Sequence, residues 1–162
     1  MAEIYVRIDD RLIHGQTIIA WCPTLQIKEI IAIDDVSALN PMLKTVMTMG
    51  VPGNYKTHIV TTKEAKELLK SPSAVTRLVI VKQPTILDQL GEELSGIKSI
   101  ILGNLAKKED SKYKLDGATG IFYLSDEDVK ILDELSNEGM DIYFQQLPAT
   151  SKTGWEAFKK TI

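Results

Sequence analysis

A single cysteine, Cys22, leaves the 162-residue chain without an internal disulfide, which fits a reducing compartment. The two histidines, His14 and His58, lie far from each other and from Cys22, so no zinc-ligand spacing is present. Long apolar runs are missing too. Runs such as Ile30-Ile31-Ala32-Ile33 and Leu78-Val79-Ile80-Val81 are strand-sized, whereas a membrane-spanning helix needs about 20 such residues. The opening Met1-Ala2-Glu3-Ile4-Tyr5-Val6-Arg7 lacks the basic start and apolar stretch of a secretory signal. Nor is there an excess of positive charge. A net charge of −3 argues against broad coating of nucleic acid or anionic membrane, while leaving room for a local basic site. With no internal repeat, low-complexity tract or linker, residues 1–162 read as one soluble, cytoplasmic domain.

Hydrophobic residues make up 44% of the chain and charged residues 25%, a composition that supports a packed core. A chain of this size buries roughly two-thirds of its unfolded surface. Short β-branched runs predict strands over residues 4–9, 29–34, 56–60, 77–82, 99–102, 120–124 and 141–145. Several are almost continuously apolar, as strands buried on both faces are. Thr61 and Glu64 have capping-box spacing, and Pro84 suits a first helical turn ahead of Ile86, Leu87, Leu90 and Leu94. Ser125 can cap a helix whose first turn holds Asp126, Glu127 and Asp128, with Gly139 fitting its end. Further helices are expected over 16–22, 37–49 and 153–160, the last anchored by Trp155 and Phe158. Residues 107–114 read as a surface loop. The alternation implies an α/β fold: a single-domain three-layer sandwich, with a mostly parallel sheet of about seven strands and helices on both faces. Ligands of such sheets bind beyond the carboxyl ends of the strands, which directs attention to the loops after Asp9, Asp34, Lys82 and Leu102.

The segment Arg7-Ile8-Asp9-Asp10-Arg11-Leu12-Ile13-His14-Gly15-Gln16 stands out there. A neutral imidazole is a competent nucleophile near pH 7, and a carboxylate on one ring nitrogen would fix the tautomer and free the other. Arg11 could hold phosphoryl oxygens through its planar fork. Free amides at Gly15, Gln16 and Thr17 could bind an anion at a helix start. These parts suit a transient phosphohistidine. Taken singly they suit blander roles: a lone loop histidine is usually structural, and neighbouring Arg and Asp form surface pairs worth about 0–1 kcal/mol. A switch-point site for a nucleotide or small anion, or a non-catalytic regulatory domain, would use the same crevice. Asp34 sits where a ribose-binding acid would, but the preceding glycine-rich fingerprint is absent. His58 reads as structural and Cys22 as buried packing.

The whole string resembles the active-site signature of the B component (IIB) of the mannose/fructose/sorbose family of bacterial phosphotransferase systems. The matching residues are Arg7, Asp9, Arg11, Leu12, Ile13, His14, Gly15 and Gln16, followed by Trp21. Weaker matches run on through Asp34-Asp35, residues 77–82, Gly103-Asn104 and residues 139–148, and Asn40 stands where many relatives would be acidic. The resemblance implies a phosphocarrier without cofactor or metal. It would accept a phosphoryl group from a phosphorylated IIA component on His14, at Nδ1, and pass it to a sugar entering through the IIC/IID permease. Arg11 would clamp the phosphoryl group, Asp10 would orient the imidazole, and Gly15, Gln16 and Thr17 would complete the phosphate-binding loop. It also implies a cytoplasmic protein that meets the membrane only at its permease, and it admits self-association. The incoming phosphohistidine calls for local positive charge, for which Arg7, Arg11 and Lys82 are the candidates, Arg7 being equally free to point away.

Overall fold

The computed structural model describes residues 2–162. Its main sheet has seven strands: β1 (Ile4–Asp9), β2 (Glu29–Ile33), β3 (Lys56–Val60), β4 (Arg77–Val81), β5 (Ile97–Asn104), β8 (Asp141–Phe144) and β9 (Thr153–Gly154). They lie in the order β3-β2-β4-β1-β5-β8-β9, parallel except for the last pair. The remaining strands, β6 (Tyr113–Lys114) and β7 (Tyr123–Leu124), form a separate antiparallel ribbon.

Alternation along the strands splits the core in two. Val6, Ile8, Ile31, Ile33, Val79 and Val81 face one side, under α4 (Thr62–Lys70), α5 (Pro84–Leu90), α6 (Asp126–Asn137) and α7 (Trp155–Lys159). Phe122, Phe144, Trp155 and Phe158 pack as an aromatic cluster there, with ring centroids 5.0–6.1 Å apart. Ile30, Ala32, Leu78 and Ile80 face the other side, with Ile18, Cys22 and Met47 from the helices that cover it. Those helices are a π-helical segment (Thr17–Trp21) continuing into α1 (Cys22–Leu25), and α2 (Asp35–Ala38) with α3 (Pro41–Met49).

The caps form as the sequence predicts. Thr61 with Glu64, and Ser125 with Asp128, make reciprocal capping boxes, and Gly139 follows α6 at φ 97°. Three segments differ from expectation. Residues 120–124 form no strand of the main sheet: Gly120, at φ 112°, turns the chain, Phe122 makes a lone parallel bridge to Leu105 just past β5, and Tyr123–Leu124 pairs with β6 from the expected loop 107–114. The helix expected over 37–49 breaks at Asn40. A residue before proline is driven out of the helical region, so Asn40 is extended and its Oδ1 accepts from the amides of Met42 and Leu43. The helix expected over 16–22 is wound as a π-helix over Thr17–Trp21 and passes at Cys22 into α1, whose first turn holds Pro23, which has no amide to donate.

Candidate functional site

The alternation of β1 decides which of its side chains reach the loop that follows. Tyr5, Arg7 and Asp9 project toward the Thr17–Trp21 layer, while Val6 and Ile8 enter the opposite core. Asp9, last in the strand and fully buried, organises the loop. Its Oδ1 accepts from the backbone amide of Arg11 at 3.0 Å, and its two oxygens accept from Arg11 Nε and Nη2, each at 3.0 Å. The chain reverses at Leu12, whose φ of 55° is costly for a branched side chain, by about 1–2 kcal/mol. Complete burial of the Leu12 side chain among Ile13, Ile18 and Ile80 offsets that strain.

This turn brings His14 back over Asp9. Its Nε2 lies 3.2 Å from Asp9 Oδ2 and 2.7 Å from Thr17 Oγ1. A carboxylate can only accept, so Nε2 carries the ring proton. Nδ1 is then left with its lone pair and, among the described residues, no partner. The ring is about one-fifth exposed. Helical winding starts at Gly15, and the first bond of the turn runs from the Ile18 amide to the His14 carbonyl at 3.3 Å. The amides of Gly15, Gln16 and Thr17 therefore precede the intrahelical ladder, and Gly15 and Gln16 are exposed.

Burial alone would push the Asp9 carboxyl up. Hydrogen bonds from His14 and Arg11, together with the nearby Arg7 charge, outweigh it and hold the group at about 2. Arg7 lies wholly inside, its guanidinium 4.9 Å from the Trp21 ring centre, donating to the carbonyls of Gln145 (3.3 Å) and Gln146 (2.8 Å). Burial draws its pKa down to about 10, which leaves it charged at neutral pH. The strand beside it makes room. Register with β1 slips between Ile8↔Leu102 and Asp9↔Asn104, so Gly103 is an extra residue, and a Cβ there would collide with the Arg7 guanidinium.

Several sequence expectations need correction. The carboxylate on the imidazole is that of Asp9. Asp10 instead accepts from Asn104 Nδ2 at 2.6 Å and the Ala106 amide at 2.7 Å, tying the loop to the end of β5. Thr17, expected in the phosphate-binding loop through its amide, has a further contact: its side chain is fully buried with the hydroxyl on His14. Arg7 is buried and cannot belong to a docking surface, whereas Arg11 and Lys82 are both partly exposed, Arg11 paired with Asp9 and Lys82 3.5 Å from Asp34. Asp34 caps α2 through Ser37, and Asp35 accepts from the Thr62 amide. His58 pairs with the buried Glu29 at 2.8 Å, beside a cavity of about 730 Å³ between β3 and α4 that contains none of the residues around His14. Cys22 is buried, which pushes its thiol up to about 12 and leaves it inert. Sequence reasoning had passed over Thr17 as a partner of the ring, although three residues is one helical turn. Among the described residues, no helix is long and apolar enough to cross a membrane.

The model of the PTS system sorbose subfamily IIB component matches residues 4–161. The PTS system fructose-specific EIIB component of Bacillus subtilis is 27% identical over 151 residues, covering 92% of this chain and 90% of its own. The PTS system mannose-specific EIIAB component of Escherichia coli is 25% identical over 148 residues, which are 90% of this chain and 45% of that longer protein. Among solved structures, the IIBSor domain of the sorbose permease from Klebsiella pneumoniae superposes with a TM-score of 0.87 at 20% identity, covering 99% and 98% of the two chains. That of manxB from Thermoanaerobacter tengcongensis gives 0.84 at 26% identity, covering 99% and 96%. A carboxylate-oriented histidine with one free nitrogen, carried on this sheet, thus coincides with a family match over nearly the whole chain. The chain belongs to the mannose/fructose/sorbose family of phosphotransferase system IIB components, the phosphoryl-transfer subunits that work between an A component and a permease.

Proposed function

We propose that His14 carries the phosphoryl group, on Nδ1. The observation that supports this most is the engagement of Nε2 by Asp9 and Thr17, which leaves Nδ1 as the nucleophilic nitrogen. The Nδ1 lone pair attacks phosphorus on the donor's phosphohistidine. The donor N–P bond breaks, and its electron pair stays on the donor imidazole. Because Nε2 keeps its proton, the phosphorylated ring is cationic, and the buried Asp9 carboxylate beneath it stabilises that charge. In the second step a sugar hydroxyl oxygen attacks phosphorus, the N–P bond electrons return to Nδ1, and the hydroxyl proton passes to solvent water. A cationic ring is the better leaving group, so the same carboxylate assists both directions.

Arg11 is the phosphoryl clamp in this reading. In the unphosphorylated site Nε and one N–H of Nη2 are spent on Asp9, and the other three of its five N–H donors are free to meet the incoming phosphoryl oxygens. The amides of Gly15 and Gln16 add donors at the helix start. Catalysis rests on alignment and charge stabilisation, with no general base required in the first step.

The A component docks on an apolar rim beside the partly exposed cations Arg11 and Lys82. Ile19, Val36, Leu39, Met42, Val46 and Met49 are all more than half exposed, and no residue of α3 is buried. α2 follows β2, two strands from β1, which places it roughly 10 Å along the sheet edge from the His14 loop. A partner burying about 800 Å² of this surface around His14 would extend that far. Incubation with phosphoenolpyruvate, the general phosphocarriers and a cognate A component tests the reading by intact mass. One acid-labile phosphoryl group should appear on the wild type and none on His14→Ala. Unchanged phosphorylation of that variant would remove the proposal.

A further inference from the structure

We propose that Arg7 is the reserve partner of Asp9, closing onto its carboxylate when Arg11 turns to the phosphoryl group; this rests on His14 being the carrier. Among the described residues, Arg7 Nε is a fully buried donor without a hydrogen-bond partner. Such a group is rare enough to need a reason, since leaving it unmade forfeits a bond while keeping the desolvation. It stands 3.6 Å from Asp9 Oδ2, just beyond bonding range, while the two Nη groups are fixed on the carbonyls of Gln145 and Gln146. Trp21 beneath the guanidinium and the Cβ-free Gly103 beside it hold it in that position.

Asp9 Oδ2 is already served from outside, by Arg11 Nη2 at 3.0 Å and His14 Nε2 at 3.2 Å. A phosphoryl group on Nδ1 brings nearly two negative charges to the half-exposed Arg11, which then competes for them against the single charge of Asp9. As Arg11 shifts its donors, a fully buried carboxylate would lose its bidentate partner and favour its neutral form. A neutral Asp9 no longer stabilises the cationic phosphorylated ring. The Arg7 Nε–H group needs to approach by well under one ångström to reach ordinary bonding distance. The site therefore keeps a cation for the carboxylate throughout the cycle, apart from the one spent on the phosphoryl group.

The chain has three arginines, Arg7, Arg11 and Arg77, so their Nε–Hε signals can be followed individually by nuclear magnetic resonance. Arg77, bonded to Glu29 at 2.6 Å, is the internal control. In Arg11→Ala, without any phosphoryl group, the Arg7 Hε signal should move downfield, and its exchange with water should slow at least about tenfold, as one charge-assisted bond requires. Stoichiometric phosphorylation of the wild type, verified by mass, should move Arg7 Hε the same way while Arg77 stays fixed. An Arg7 signal that ignores the loss of Arg11 would overturn the proposal even where phosphorylation succeeds. Failure to phosphorylate would instead strike the carrier reading, leaving the Arg11→Ala result to decide this one. A purely structural Arg7, fixed to Gln145 and Gln146, would show neither change.

Discussion

Replacing Asp9 by asparagine separates the two adjacent acids of the loop. Asp9 is wholly buried and held at about 2 against an ordinary 3.8, nearly two units of preference for the ionised form and of order 2.5 kcal/mol of stability. A depressed carboxyl stabilises the fold above its unfolded value and loses that contribution as pH falls through its folded value. Wild type should thus weaken between about pH 4 and pH 2, a limb that Asp9→Asn lacks. At neutral pH the variant leaves Arg7 buried beside a neutral amide, which should cost about 3–5 kcal/mol. Its amide also cannot stabilise the cationic ring, so transfer per folded molecule should fall by roughly 10²–10⁴, or about 2.7–5.5 kcal/mol. Asp10→Asn is the comparison. Its carboxylate serves Asn104 and Ala106 and never the ring, so transfer should change by less than about tenfold, with up to about 3 kcal/mol of stability lost. Urea denaturation at several pH values, with transfer rates normalised to folded protein, measures both quantities. Normal transfer by folded Asp9→Asn would refute the reasoning.

Arg11→Lys should lose roughly ten- to a thousandfold in transfer, because an ammonium keeps the charge but lacks the planar fork that grips phosphoryl oxygens, and Arg11→Ala should be worse. Unlike an ordinary surface change, Arg11→Ala should also lower stability by about 1–3 kcal/mol in a denaturation curve, since the one bond from Arg7 replaces a bidentate pair on a buried carboxylate. Gly103→Ala should destabilise by at least about 1–3 kcal/mol, because its Cβ meets the fixed guanidinium of Arg7; an unchanged melting curve would contradict the close approach. Met42→Asp on the exposed rim should raise KM for the phosphorylated A component about tenfold with kcat preserved, a change of roughly 1.4 kcal/mol in docking. An unaltered KM would move the docking surface elsewhere.

The layers and caps were readable because they depend on local chemistry. Thr61 with Glu64 and Ser125 with Asp128 carry their own instructions, and the near-continuous apolar runs declare strands covered on both faces. Strand order was not readable, since β4 enters between β1 and β2 through contacts distant in sequence. The break at Asn40 had a local signal in Pro41, and sequence analysis extended the helix through it. In the site, His14 and Arg11 stood out by type, whereas choosing between Asp9 and Asp10 required strand alternation. Arg7 and Asp9 share a face because they are two residues apart, and Asp10 lies one step beyond the strand. The buried position of Arg7 was beyond local reading, because it depends on a bulge at Gly103 nearly one hundred residues later.

The central claim is that the reacting atom is Nδ1 of His14, with Nε2 held by Asp9 and Thr17. Uniform ¹⁵N labelling, followed by phosphorylation through the A component, allows the nitrogen bearing phosphorus to be identified from its ³¹P coupling and its ring-proton correlations. The account predicts a single phosphorylated nitrogen, Nδ1 of His14, with the Nε2 proton still present and slow to exchange. Phosphorus on Nε2, or on any residue other than His14, would contradict it.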